Sequence, residues 1–323
     1  MTASPALFQE SIPADEPAKI AKLIELQQAL HQRSGAPTKR AQHPKHHGLL
    51  HGEMIVSDAF DSDLKVGLFA LPGRYPIVAR CSNGLAFDDS QKDVHGLAIR
   101  IRGLENGQIQ DLLAIDQSEF FIRNLDVYQA LLEAKLNGGG RAGTLGRYLM
   151  ASWNPLQWRF HDASLLLKIG QTLESFLATD YFSTTPYRLG PLAVKFRIKF
   201  VVPGGLIMQG GSQEDKLGVR LAAQLQRGPV VATLSFQKQQ DPKTEPTEDP
   251  TVPWKTPWRE VATLNFHQGQ VPNAVENMQE AEELEFNPWH CLDEHQPLGA
   301  INRARKPIYE ALVKQRKSSQ PTS

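Results

Sequence analysis

The sequence predicts an α+β protein built on an antiparallel sheet or barrel. Three observations carry that expectation. Short apolar or alternating runs, divided by Gly, Pro, Asn and Asp, crowd residues 54–102. Longer runs of helical character follow at 125–136, 147–158 and 164–177. Strand-like runs return at 192–201, 230–237 and 260–266. No internal repeat and no sharp linker interrupts the series. The length of 323 residues suits one large domain or two of ordinary size. A formal net charge of zero argues against bulk nucleic-acid binding. No apolar run reaches transmembrane length. Residues 1–17 lack the basic start and apolar centre of a secretory signal. Two cysteines, Cys81 and Cys291, are too few for a disulfide framework and point to a reducing compartment, so a cytoplasmic location is expected.

Taken in order, residues 1–14 read as a loose arm. Pro13–Pro17 can start a helix, with acids at its positive end. Ile20, Leu23, Ile24 and Leu30 then share one helical face, with Leu26 at its edge and Gln27 interrupting the stripe. Ser34-Gly35-Ala36-Pro37 ends it. Between Lys39 and Val56 four histidines, His43, His46, His47 and His51, lie within nine positions. His47 and His51 have i,i+4 spacing for a metal. Pro44, Gly48 and Gly52 oppose a helix there, so a loop entering a strand is the plainer reading. Val66–Phe69, Tyr75–Ser82, Val94–Arg102, Asp111–Ile115 and Glu119–Arg123 read as strands. Asp241–Pro257, rich in Pro and acids, reads as an exposed ordered loop, and Gly218–Arg227 as a short helix. Near the C-terminus, Ala300–Leu312 reads as a helix that puts Arg305 and Tyr309 on one face. A guanidinium beside a phenol favours the phenolate, and Tyr is among the few proximal haem ligands proteins use. Taken alone, such a pair is commonly a surface contact. Lys314–Lys317 reads as a frayed, solvated helix end.

Together these stretches resemble the haem catalase family, and its short bacterial catalase-like members in particular. Arg40-Ala41-Gln42-His43-Pro44-Lys45 is similar to the family's Arg-x-x-His-x-Lys. Pro76-Ile77-Val78-Ala79-Arg80-Cys81-Ser82 is similar to its Pro-x-x-x-Arg-Phe-Ser strand. Asp93-Val94-His95-Gly96-Leu97-Ala98 resembles Asp-x-Arg-Gly-Phe-Ala, and Phe120-Phe121-Ile122-Arg123 the end of the strand that closes Phe-Phe-Ile-Arg-Asp. Arg305-Lys306-Pro307-Ile308-Tyr309 matches the proximal Arg-x-x-x-Tyr. The similarity spans about residues 38–313, five motifs in the family's order. It implies an N-terminal arm and helix over 1–37, a haem domain over 38–313 and a flexible tail over 314–323.

The resemblance implies haem b against a closed antiparallel β-barrel with surrounding helices. Tyr309 would be the proximal iron ligand, with Arg305 holding it as phenolate. His43 would be the distal acid–base group, with Ser82 on its ring. Arg40 and Arg80 would face the propionates, and Tyr128 would place its ring against the haem. The family's distal Asn, which orients peroxide, falls at Ile115 or Asp116, neither of them an amide. Cys81 stands where the family has Phe, and His95 where it has Arg. The sequence ends soon after the proximal helix, where full-size catalases continue.

The implied chemistry is reduction of hydrogen peroxide or organic hydroperoxides through a ferryl intermediate, with His43 moving the proton between the peroxide oxygens. Loss of the distal amide should hurt hydrogen peroxide dismutation most. The leading expectation is therefore a catalase-related peroxidase with weak catalase activity, served by a small-molecule electron donor. A fatty-acid hydroperoxide isomerase or lyase is the second reading, and a non-catalytic haem-binding protein the third. Homo-oligomers are common among catalase relatives, and the N-terminal helix is a candidate exchanged arm.

Overall fold

The structure, a computed structural model, describes residues 8–35, 38–150 and 169–319. Among the described residues, nine strands form one antiparallel sheet: β1 His46–Val56, β2 Gly73–Asn83, β3 His95–Ile101, β4 Gln110–Ile115, β5 Asp180–Phe182, β6 Tyr187–Leu189, β7 Leu192–Val201, β8 Val230–Lys238 and β9 Trp258–Phe266. Their order is β5-β4-β3-β2-β1-β9-β8-β7-β6, and β5 also pairs with β7. That second pairing closes eight strands into a barrel and leaves β6 outside, on the flank of β7. Closure removes the open edges that would invite pairing with other chains.

Alternation in the sequence decides what the barrel encloses. Ile77, Ala79 and Cys81 of β2, Leu97, Ile99 and Ile101 of β3, and Leu112 and Ala114 of β4 point inward. They meet Phe196, Ile198, Leu234 and Leu264 from the opposite wall in one apolar core. Residues between them, Arg80 and Ser82, Gly96 and Ala98, Leu113 and Ile115, face outward. The helix Lys216–Arg227 adds Leu217, Leu221 and Leu225 to the same core.

Six helices are described: α1 Glu16–Arg33, α2 Leu125–Asn137, α3 Arg141–Leu149, α4 Lys216–Arg227, α5 Val275–Glu283 and α6 Ala300–Ser318. α1, α2 and α6 build a second, separate core from Leu23, Leu26, Leu125, Leu131, Ile301, Ala304 and Ile308. The start of α2 is fixed by Asn124, whose side chain accepts from the Val127 N–H at 3.0 Å. No described helix is long and apolar enough to cross a membrane.

Several expected elements differ. Val66–Phe69 is not a strand but holds a 3-10 turn, Gly67–Phe69. Gly67 has φ +55°, and the Leu68 N–H donates to His295 Nε2 at 3.0 Å instead of to a ladder. Glu119–Arg123 is irregular because the Phe120 N–H finds Pro250 O at 3.2 Å. The helix expected over 147–158 is seen as α3, ending at Leu149, and its remainder from 151 lies outside the described residues. Of 164–177, residues up to 168 also lie outside. Beyond them Gln171 bridges Asp93, and a 3-10 turn runs from Phe176 to Ala178, so no helix continues there. Helix α5 and the short β5 and β6 were not expected. The 241–257 loop is less exposed than its composition suggests. Glu245, Thr247 and Trp254 are buried, and Lys195 Nζ lies 5.1 Å above the Trp254 ring. The basic run 314–317 stays helical, and Arg316 is buried.

One buried ion pair ties the barrel to the segment that leads into α6. Arg100 grips Asp111 through Nε at 2.8 Å and Nη2 at 2.7 Å. Asp111 Oδ2 also accepts from the Asn287 N–H and pairs with His290 Nδ1, each at 2.9 Å. The Asp111 side chain has 0% exposure. Removing one partner of such a pair leaves the other charged, buried and uncompensated, which costs about 3–5 kcal/mol. Asp111→Ala is therefore expected to lower unfolding stability by about that amount, read from denaturant midpoints at constant slope.

Candidate functional site

The two cores meet at a polar seam, and most of the sequence-predicted site residues lie there. His43 precedes β1 and has φ +55°, an uncommon backbone for a side chain with a Cβ. Such strain, about 1–3 kcal/mol, persists only where the surroundings over-determine it. Here three contacts do so. The His43 N–H donates to Gly84 O at 2.8 Å. The His43 carbonyl accepts from Arg80 Nη2 at 3.0 Å. Ser82 Oγ lies 3.2 Å from ring Nδ1. The ring rests on Gly96, where a Cβ would come within 2.6 Å of His43 Cε1 and 2.7 Å of Nδ1. Glycine at 96 is what leaves room for the imidazole. Burial, and then the neighbouring Arg80, push the His43 pKa down to about 4, so the ring is neutral at pH 7.

Register settles the geometry beside it. Ser82 pairs with Gly96, and Gly96 with Ile115. Directly paired residues share a face, so Ile115 stands on the His43 face. Asp116, one residue on, turns the other way. Its Oδ2 sits 2.9 Å from His95 Nδ1 and accepts from Gln171 Nε2 at 3.0 Å, while Oδ1 accepts from the His95 N–H at 2.9 Å. Asp116 is thus committed to His95 and not to His43.

On the helical side, Arg305 Nη2 donates to Tyr309 Oη at 3.2 Å, and Nη1 to Asn302 Oδ1 at 3.1 Å. Asn302 is fully buried and rigidly held. Its Nδ2 donates to Pro186 O and Leu298 O, and its Oδ1 also accepts from Thr185 Oγ1 at 3.1 Å. Burial opposes the charge on Arg305, yet Tyr309 and Tyr187 hold its pKa above the ordinary guanidinium value. Tyr128, from α2, accepts from Gln27 Nε2 at 2.5 Å. Burial and the nearby Tyr309 push its phenol up to about 12. Burial likewise pushes Tyr187 up to about 12. The polar Gln27 that interrupts the α1 stripe is therefore a site partner.

Between the two sides lies a cluster of arginines. Arg40 caps the end of α5, donating through Nη2 to Ala281 O at 2.8 Å and Leu284 O at 2.5 Å. Burial and Arg316 lower its pKa to about 10. Burial, and next Arg40, push Arg80 well below the guanidinium norm. Arg40 Nε, Arg80 Nε and Arg316 Nε are buried and have no partner among the described residues. The nearby carboxylates are taken. Glu282 holds Lys39 and His46 at 3.1 Å each and reaches Arg316 only at 3.9 Å. Although burial opposes its charge, His46 and Lys39 bring it down to about 2. Glu285 pairs with Lys317 at 2.6 Å. Sequence reasoning missed Arg316 by reading its basic run as solvated. The signal was its place seven residues after Tyr309, on the same helical face.

His43, Tyr128 and Arg305 sit deep in the protein yet keep part of their surface accessible. The other histidines disperse: His46 to Glu282, His47 to Asn83 at 3.2 Å, and His51 to Asn277 at 3.3 Å. Among the described residues, no cluster of three or more His, Cys, Asp or Glu could hold a metal ion. Cys81 is inert, its thiol pushed up to about 12 by burial.

Solved structures of catalases share this fold. Catalase A from Saccharomyces cerevisiae superposes with a TM-score of 0.67 at 16% identity, covering 86% of this chain and 61% of its own. A fungal catalase gives 0.63 at 17%, with 88% and 63% covered. A bacterial catalase gives 0.64 at 19%, with 97% and 63% covered. The chain thus spans less than two thirds of the length of these catalases. No protein-family model matches the sequence, and no curated protein does.

The histidines give the fold an acid limit. His43, His47 and His295 each have a pKa lowered to about 4, in every case chiefly by burial. The unfolded chain titrates near 6.5 and binds these protons first as pH falls. Stability from this source is full above about pH 6.5 and is lost progressively down to about 4. Denaturant midpoints are expected to hold from pH 8 to 7 and to fall steadily between pH 6.5 and 4.

Proposed function

We propose that the seam binds haem b and that the protein is a haem-dependent oxidoreductase acting on peroxide. The observation that carries this reading is the trio Arg40, Arg80 and Arg316. Their buried, unpartnered Nε atoms and their shortage of free carboxylate suit a ligand that brings two carboxylates of its own. A haem has an aromatic body that His43, Tyr128 and Tyr309, each still partly accessible, could flank, and two propionates for the arginines. Its proximal ligand would be Tyr309, the phenol to which Arg305 donates. The residues present therefore fit the group, and the catalase fold agrees with it.

When bound, the haem iron supplies the redox capacity to split a peroxide O–O bond. The protein's own residues do the rest. Arg305 stabilises negative charge on the Tyr309 oxygen, which makes it a better iron ligand. His43, neutral at pH 7, can take the peroxide proton at Nε2 and return it to the leaving oxygen. Ser82 occupies Nδ1 and so fixes which nitrogen works. Tyr128, protonated at any physiological pH, is an apolar ring with a hydroxyl anchored by Gln27. Among the described residues, the cross-strand neighbour of Gly96 on the β4 side is Ile115 and not an amide. Hydrogen peroxide, with no other handle, would be positioned poorly for dismutation. The reading is therefore a peroxidase, drawing electrons from a small organic donor, with weak catalase activity.

Haem reconstitution tests it. The wild type is expected to bind one haem per chain with a high-spin ferric Soret band, and Tyr309→Phe to lose the tyrosinate signature. His43→Gln is expected to keep the haem and lose about a hundred- to ten-thousand-fold in peroxide turnover. A wild type that takes up no stoichiometric haem would end this reading.

A further inference from the structure

The sequence leaves open whether Ile115 or Asp116 lines the peroxide side of the site, and the register decides it. Gly96 is the floor on which the His43 ring lies, 2.6 Å from where its Cβ would be. Ile115 is the direct cross-strand partner of Gly96. Directly opposed residues of an antiparallel pair hold their Cβ positions about 4.5–5.5 Å apart. Ile115 therefore forms the wall immediately beside the imidazole.

That wall continues in one direction as apolar surface. Leu113 and Ala98 pair with each other on the same face, one pleat along. Phe182 of β5 is the partner of Ile115 on its other side. Its ring lies 5.9 Å from that of Trp258. Ala98, Leu113, Ile115, Phe182 and Trp258 all keep part of their surface accessible. Asp116, next to Ile115 in the chain, is turned away and saturated by His95 and Gln171, and Asp93 is taken by the Leu85, Ala86 and Val94 N–H groups.

A peroxide with hydrogen at both ends needs polar partners at both oxygens. Among the described residues, the wall beside the imidazole offers only Gly96, Ala98, Leu113 and Ile115, and its cation, Arg197, lies beyond Phe182 with its guanidinium 5.0 Å from the Trp258 ring. A hydroperoxide with an organic substituent needs only His43 at its OOH end. Its apolar group gains by burial against the wall, about 25 cal/mol per Å2 removed from water. We infer that Ile115 is the specificity-determining residue and that the substrate is an organic hydroperoxide whose apolar group lies along Ile115, Leu113 and Phe182. This rests on the peroxide reading above, and it narrows that reading from peroxides in general to one class.

The test compares wild type, Ile115→Asn and Ile115→Leu with two probes. Isothermal titration with cumyl alcohol, a redox-inert analogue of cumene hydroperoxide, is run on haem-free and haem-loaded protein. Peroxidase kcat/KM is measured with cumene hydroperoxide and with hydrogen peroxide, using one phenolic donor. The wild type is expected to bind cumyl alcohol and to favour cumene hydroperoxide. Ile115→Asn is expected to weaken that binding and to lower the preference ratio by about tenfold or more, the scale of lost apolar contact in a pocket. Ile115→Leu should hold the ratio within about threefold. A ratio unchanged by Ile115→Asn, or a wild type that fails to bind cumyl alcohol in either form, overturns the assignment. If haem uptake itself fails, the haem-free titration still decides it, and the two failures stay distinct.

Discussion

Three guanidinium groups buried against taken carboxylates set the terms on which barrel and helices meet. Burial of charge is tolerated only when it is compensated, and Arg40, Arg80 and Arg316 come from a loop, a strand and a helix respectively. Arg40 and Arg80 are half-satisfied, and Arg316 reaches Glu282 only at 3.9 Å. Arg40 reaches α5 carbonyls and Arg80 reaches the His43 carbonyl, yet all three keep an idle buried Nε. The same contacts that hold these arginines also hold the site. Arg80 fixes the strained His43 backbone, and Arg40 fixes the end of α5, from which Glu282 reaches His46. A dianionic ligand would complete an arrangement that the protein alone leaves short of negative charge.

The legible parts of the sequence were those with a strict period. In β2 and β3 every second residue is apolar, so both strands and their outward-facing Arg80, Ser82 and Gly96 could be read directly. Arg305 and Tyr309 were legible for the same reason at helical spacing. What could not be read was whatever depends on a distant partner. Gly67–Phe69 looks like strand, but His295 captures its backbone. Glu119–Arg123 looks like strand, but Pro250 takes the Phe120 hydrogen bond. Asn302 and Gln27 appeared as ordinary polar residues because their partners, Arg305 with Thr185 and Tyr128, are fixed only by the fold. Arg316 was misread because a run of basic residues usually faces water, whereas here one member of the run turns inward.

Register did more for the site than any single contact. A strand's alternation assigns Ile115 and Asp116 to opposite faces, and a slip of one residue would exchange them. The exchange would put a carboxylate beside His43 and an isoleucine against His95. The pairing of β3 with β4 is held against such a slip by the Arg100–Asp111 pair at one end and the His95–Asp116 pair at the other. The arrangement of side chains at the seam is thus inherited from the ladder, and the Arg100–Asp111 ion pair and the His95–Asp116 hydrogen bond act as pins at its ends.

The thiols carry a last consequence. Cys81 lies one residue from both Arg80 and Ser82, close to where an oxidant would be handled. Burial pushes it up to about 12, and Cys291 to about the same value. Thiols oxidise through the thiolate, and at neutral pH these two have almost none. Both positions are therefore held in the form that oxidises slowly, so an oxidant turned over at the proposed site would find little reactive sulfur beside it.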